Sequence, residues 1–432
     1  MASPKPFVAL FSLILFACAA EASARAEPTN SAPGPTESPN REVSASSGKE
    51  PGDGASKIEV AVVPLVGGDT DVGIGGGALG TIARTAPGDR VFDWKLEFAA
   101  FITGKSDDGG LYSPYQDIYL MLTRKDLAGG RVRLELRGAY TRESNLRYYG
   151  LGNASVAPDS DVATRDFFTR THPTANARVQ VHLVGPFHLS LGTMYIQNWI
   201  NLPPDSTLLR DATNGSERVR DILHVDTHHG LHTLEAGLIV DSRDNEVAPT
   251  RGQHHSFQLR GSPWQTAGMP YRYLEVSLSD SGFFPLTSDD RAVLAVRVVG
   301  DWQIGRVPFY DLSRFEESSA VGGPRYVRGV PSNRYYGKRK LLTNAELRTL
   351  WFAFHFRKDE YRLGGTAFFD AGRVWADTSP DSTLDGSGVG LKFGTGIGLR
   401  LQKGKTFVLR GDVAWSPDAR PIGGYFLAEH IF

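Results

Sequence analysis

Arg131-Val132-Arg133-Leu134-Glu135-Leu136-Arg137 alternates charge with aliphatic carbon at every step. Side chains of a β-strand point to opposite faces in turn. This stretch therefore reads as a strand with Arg131, Arg133, Glu135 and Arg137 on one side and Val132, Leu134 and Leu136 on the other. The same period of two continues in both directions. Trp94, Leu96 and Phe98 alternate with Lys95 and Glu97, and Phe257 and Leu259 with Gln258 and Arg260. Leu274, Val276 and Leu278 oppose Tyr273, Glu275 and Ser277, while Phe407, Leu409 and Val413 oppose Arg410 and Asp412.

A soluble sandwich alternates too. Number and length separate the cases. Sixteen segments of roughly ten residues can be placed, the length that crosses a bilayer at a strand tilt near 45°. They centre near Val62, Gly77, Phe98, Leu120, Leu136, Gln180, Gly192, Gly237, Leu259, Val276, Val296, Leu347, Phe369, Thr395, Leu409 and Leu427. An even number suits a closed antiparallel barrel, which leaves no free edge in hydrocarbon. The connections alternate in length as well. Ala86–Arg90, Lys125–Gly130, Gly185–Phe187, Thr287–Asp290 and Lys403–Lys405 are short; Glu143–Asp166, Asn201–Leu231, Ile304–Lys338 and Ala376–Gly386 are long. Short periplasmic turns and long external loops are the asymmetry of an outer-membrane barrel.

Composition removes other classes. The 432-residue chain has a net charge of -1, 48 glycines, one cysteine and a mean hydropathy of -0.25. A nucleic-acid binder would be basic, and after residue 20 no apolar run is long enough for a membrane helix. A single cysteine, Cys18, permits neither a disulfide framework nor a cysteine-ligated metal site.

Residues 1–26 read as a signal peptide. Lys5 supplies the charge, Phe7 to Ala20 the apolar segment, and Ala24-Arg25-Ala26 the preferred cleavage site over Ala22-Ser23-Ala24. Leu15-Phe16-Ala17-Cys18 is a poorer, lipoprotein-type alternative because of Phe16. Residues 27–56, rich in Pro, Ser, Gly, Glu and Ala, read as a disordered periplasmic leader. The barrel is expected over 57–432.

Several catalytic patterns are set aside. Gly75-Gly76-Gly77-Ala78-Leu79-Gly80 fits G-x-G-x-x-G, but Pro87 arrives before a crossover helix could form. His224, Asp226, His228, His229 and His232 are dense enough to suggest a metal, yet read as a solvated polar loop without rigid ligand geometry. His254 and His255 are expected at the opposite end of the wall. Glu97 and Glu135 have cationic neighbours and read as lumenal charge pairs. No G-x-S-x-G or H-E-x-x-H occurs. No enzyme, cofactor or metal is expected.

Four blocks remain. The first is Arg147-Tyr148-Tyr149-Gly150-Leu151-Gly152-Asn153. The second is Asp241-Ser242-Arg243-Asp244-Asn245 with Pro249-Thr250-Arg251-Gly252. The third is Gly322-Gly323-Pro324-Arg325-Tyr326-Val327-Arg328-Gly329 with Asn344-Ala345-Glu346-Leu347-Arg348. The fourth is Phe368-Phe369-Asp370-Ala371-Gly372-Arg373-Val374-Trp375, ahead of an aromatic C-terminus at Phe432. In this order they resemble the BamA/TamA-type outer-membrane barrels, the bacterial surface-antigen family of protein insertases and transporters, over roughly residues 57–432.

The resemblance implies a sixteen-stranded transmembrane barrel whose long sixth external loop folds into the lumen. The loop's V-R-G tip would be held by an acidic pair, here Arg328 and Gly329 against Glu346 and Asp370. Val330 stands where the family has an aromatic. The residues agree independently, since Asn344, Glu346 and Arg348 share one strand face, and a guanidinium fork can bridge two carboxylates. The 27–56 segment is too short and polar for the periplasmic POTRA domains of the family, so a barrel-only member is expected.

A lateral seam is expected between the first strand, read as Ile58 to Leu65 and containing Pro64, and a last strand starting at Gly423-Gly424 and ending at Phe432. The expected partners are outer-membrane lipid and an unidentified polypeptide client or periplasmic accessory protein, with no nucleic acid. The expected activity is insertion or transport of a polypeptide or lipid-linked client in the bacterial outer membrane. The alternatives are a passive pore and a structural surface barrel.

Overall fold

The computed structural model describes residues 57–85, 93–107, 110–157, 166–315, 318–319, 326–356, 359–403, 407–418 and 422–427. The signal and leader segments, Gly322, Gly323 and Phe432 lie outside the described residues.

Sixteen strands form the wall: β1 (Lys57–Asp69), β2 (Gly73–Thr85), β3 (Trp94–Asp107), β4 (Tyr115–Leu127), β5 (Val132–Arg147), β6 (Phe167–Val184), β7 (Phe187–Asn201), β8 (His228–Asp241), β9 (Gly252–Ser262), β10 (Arg272–Pro285), β11 (Ala292–Arg306), β12 (Arg339–Phe356), β13 (Asp359–Trp375), β14 (Lys392–Lys403), β15 (Phe407–Trp415) and β16 (Gly423–Leu427). Each of the sixteen centres read from the sequence falls inside one of them. Every strand pairs antiparallel with the next, and β16 returns to β1, so the sheet closes. Among the described residues no helix is long and apolar enough to cross a membrane.

The two faces are inverted relative to a soluble protein. Ile58, Val60, Val62, Leu120, Leu234, Leu238, Leu274, Leu278, Phe352 and Phe354 are exposed on the outside. Arg260, Glu275, Asp301, Lys340, Glu346, Asp370, Arg410 and Asp412 are buried. Apolar-out, polar-in alternation on a closed antiparallel sheet is the pattern of a barrel in lipid. Inside, Glu97 pairs with Lys95 and Glu135 with Arg133.

At one end the links are turns, such as Gly185-Pro186 between β6 and β7 and 286–291 between β10 and β11. At the other end, 202–227 carries α1 (Thr207–Asn214) and α2 (Glu217–Ile222). Ser206 and Ser216 cap them by accepting from the amides of Leu209 and Val219. The long links share an apolar core that includes Tyr148, Leu151, Leu208, Ile222, Tyr271, Phe309, Tyr310 and Tyr336.

The first strand is longer than its apolar pattern suggested. It continues past Leu65 to Asp69, because Gly67 and Gly68 pair with Gly75 and Ile74 and need no side chain to hold the ladder. Pro64 therefore sits mid-strand, opposite Ala78.

Candidate functional site

Arg328 belongs to the 307–338 link and is fully buried. Its Nε donates to Asp370 Oδ2 at 2.7 Å and its Nη2 to Asp370 Oδ1 at 2.9 Å, a bidentate fork. Nη1 donates to Glu346 Oε1 at 2.7 Å and Asp412 Oδ2 at 3.1 Å. The backbone amide of Arg328 reaches Asp370 Oδ2 at 3.2 Å. The guanidinium also lies over the Phe368 ring, 3.4 Å from its centroid. Burial alone would weaken its hold on the proton, but Asp370 and Glu346 outweigh that and raise it above the ordinary arginine value. One cation thus ties a loop to β12, β13 and β15.

Neighbours complete the arrangement. Asn344 donates to Asp370 Oδ1 at 2.8 Å and to the Tyr326 carbonyl at 2.6 Å. Arg348 pairs with Glu346 at 2.8 Å, and Arg400 with Asp412. Gly329 has φ +92°, and its amide donates to the Tyr425 hydroxyl of β16 at 2.7 Å. Val330, in place of an aromatic, is buried with Val327, Phe315, Tyr335, Leu342 and Val374. Gly372 is buried in β13, opposite Leu342.

The first block meets the same link. The Gly152 amide donates to the Tyr336 carbonyl at 2.8 Å, and Asn153 Nδ2 to the Gly390 carbonyl at 2.6 Å. Gly150 and Gly152 both take positive φ. The second block lies at the opposite end, as the turn from β8 to β9. Arg243 clasps Asp241 through two bonds of 2.9 and 2.7 Å. Asp244 accepts from the amides of Thr250 and Arg251 and from the Thr250 hydroxyl. Pro249 precedes Thr250 in this turn, and Gly252 closes it with φ +96°.

The first and last strands meet at the end of β1 that leads into β2. Among the described residues, β1 and β16 are in register at Gly68–Phe426 and Asp69–Tyr425, whereas β1 and β2 pair along all of β1. The Thr70 amide donates to the Gly424 carbonyl at 3.2 Å. Donors on an antiparallel strand alternate sides. The even positions of β1 therefore turn their amides toward β16, and Pro64, with none to donate, falls on that side. Gly423 pairs with Ala414 and Gly424 with Val413 on β15.

The histidine-rich stretch is not a solvated loop. His228, His229 and His232 lie in β8, and His229 is 2% exposed. Its ring nitrogens are 2.9 Å from the Asp226 carbonyl and 2.9 Å from the Tyr310 hydroxyl. Tyr310 also covers the guanidinium of Arg170. The folded link from β11 brings that tyrosine in, which local polarity could not reveal. Among the described residues no group of three such side chains is placed to hold a metal. His254 sits opposite Asp241, at the turn end.

Sequence reasoning missed Asp412 as an Arg328 partner, together with Arg400, Phe368 and Tyr425. Alternation had put Asp412 and Arg410 on one face of their strand; what it lacked was height along the wall. Beside this cluster the interior keeps a cavity of about 690 Å³ lined by Asp117, Arg137, Glu143, Arg178, Glu235 and Arg314, among others.

Comparison with known proteins adds the following. The sequence pattern of the Omp85 superfamily domain matches residues 110–423. A comparison with curated protein sequences returns no match. Among solved structures, the chain is similar to BamA from Haemophilus ducreyi lacking POTRA domains 1-3, with TM-score 0.54 and 15% identity, over 87% of this chain and 70% of that one. It is also similar to CdiB from Escherichia coli, with TM-score 0.54 and 14% identity, over 86% of this chain and 62% of that one. The likeness in both cases is one of fold.

Proposed function

This chain belongs to the Omp85 superfamily, and from that premise we propose that it moves a polypeptide client into or across the bacterial outer membrane through the β1–β16 seam. The observation that carries this reading is Pro64, which sits mid-strand in β1 on the edge that faces β16 and has no amide to donate there; among the described residues β1 and β16 are in register at Gly68–Phe426 and Asp69–Tyr425. A strand edge whose partner is easily withdrawn presents unpaired amides and carbonyls, and an extended segment of another chain can add to it by main-chain hydrogen bonds. Pro64 keeps one donor position empty along that edge.

The Arg328 cluster has a complementary role in the proposal. By tying the loop tip to β12, β13 and β15, and through Gly329 to β16, it holds a plug in the lumen and steadies the last strands while the seam opens. Periplasmic accessory proteins would bring the client, and a lipid-linked client would use the same opening.

The charged interior cavity supports a second reading, a passive channel for small solutes. Reconstitution separates the two. Vesicles containing the protein should speed the folding of an added, urea-unfolded outer-membrane barrel polypeptide, read by heat-modifiability, relative to empty vesicles. No acceleration, together with a large steady single-channel conductance, would favour the pore and sink the insertase reading.

A further inference from the structure

The outer wall carries a groove of about 870 Å³ where β7 to β11 pass. Two small residues set between leucines make its floor. Ala236 of β8 stands opposite Leu191 of β7 and Leu259 of β9. Gly261 of β9 stands opposite Leu234 of β8 and Leu274 of β10, which in turn faces Ile304 of β11. Leu191, Leu234, Leu274 and Ile304 are exposed, so the depression is walled by aliphatic side chains standing out from the sheet. Gly261 cannot be enlarged without moving backbone, since a Cβ there would lie 2.4 Å from the Tyr273 carbonyl oxygen.

Two residues further along, Arg272 faces Arg306 across β10 and β11, and Arg272 lines the groove. Like charges directly opposite on paired strands repel. Arg306 reaches Asp226 at 3.5 Å, and no ion pair of Arg272 occurs among the described residues. Exposed Trp264 and Trp302 lie on the same strands and links, the rings that mark where hydrocarbon meets headgroups. Apolar floor below and paired cations above match one kind of molecule.

We propose that this groove is a specific site for a phosphate-bearing lipid, with an acyl chain over Ala236 and Gly261 and the phosphate between Arg272 and Arg306. The proposal rests on the reading of the wall as membrane-spanning. That reading also selects the occupant, because a lipid is what brings an anion and an aliphatic chain to an outward face surrounded by hydrocarbon.

The test is native mass spectrometry of the full chain in detergent micelles, titrated with dioleoyl phosphatidylglycerol or with dioleoylglycerol, which has the same chains and no phosphate. Wild type should hold the phosphatidylglycerol roughly tenfold more tightly. Arg272→Gln should weaken it about fivefold, as expected for one cation at a membrane surface. Ala236→Phe, which fills the floor from the lipid side, should weaken both lipids. Both substitutions point outward, and heat-modifiability checks that each barrel is folded. Equal retention of both lipids by wild type and both variants would overturn the site, leaving only unselective boundary lipid. Displacement by inorganic phosphate with no effect of Ala236→Phe would overturn it in favour of a soluble-anion site. Failure of the protein to insert into vesicles would instead count against the membrane-spanning reading itself.

Discussion

Replacing Arg328 with alanine removes a side chain that touches Asp370, Glu346 and Asp412 together. Four side-chain hydrogen bonds between 2.7 and 3.1 Å are lost, all with no solvent access to replace them. Glu346 keeps Arg348, and Asp412 keeps Arg400 and Arg410, but Asp370 is left with Asn344 as its neutral side-chain donor. Breaking a buried pair by deleting one partner costs about 3–5 kcal/mol, which is on the order of a hundredfold to several thousandfold in the folding equilibrium. The assay is equilibrium unfolding in urea and detergent, read by heat-modifiability, with external protease as a second probe of the 307–338 link. Arg328→Ala should unfold at markedly lower urea and be cut faster. Arg328→Lys, which keeps charge but not the fork, should fall between, and Arg328→Ala with Asp370→Ala should recover part of the loss. Unchanged unfolding and protease resistance in Arg328→Ala would refute the reasoning.

Gly329→Ala forces a side chain onto φ +92° and sets its Cβ 2.9 Å from the Trp415 carbonyl carbon, so it should destabilise by roughly 1–3 kcal/mol, whereas Tyr425→Phe should cost about 1–3 kcal/mol through the amide it leaves unsatisfied. In the β8–β9 turn, burial acts against the Asp244 charge, but bonds from Thr250 and Arg251 hold its carboxyl below the usual value of 3.8. Its contribution is therefore complete above that value and is lost as pH falls through the lower folded one; in thermal melts, the gap between wild type and Asp244→Asn should close under strong acid and stay constant from pH 5 to 8. A single cysteine at Asp289, in a short turn, should be silent to an impermeant maleimide in intact cells, while one at Asn214 in α1 is labelled; the reverse pattern would invert the barrel's orientation.

The wall was legible because one rule, period two, governs it throughout. Its failures are local. Gly67 and Gly68 carry no side chain to alternate, so the pattern stops at Leu65 while β1 runs on to Asp69. The capped helices α1 and α2 leave no trace in period two, and Asn201–Leu231 reads only as a long external loop, although Ser206 and Ser216 are ordinary cap residues. His229 shows this most sharply, since three aromatic or carbonyl partners reach it from the links that enter β8 and β10 and from the 307–338 link. Arg328, Glu346 and Asp370 were nameable in advance through motif order and strand parity. Asp412 was not, because its meeting with Arg328 depends on the stagger of β15 against β13, which no local pattern encodes.

The central claim is that the seam opens while the barrel stays whole. Thr70→Cys with Gly424→Cys is placed to test it, since a Cβ at Gly424 would lie 3.9 Å from the Thr70 Cγ2. The measurement is client folding in vesicles containing this double variant, oxidised and then reduced. The account predicts that the oxidised barrel remains folded and heat-modifiable, does not accelerate the client, and regains activity when the disulfide is reduced. Equal activity in the oxidised and reduced protein would contradict it.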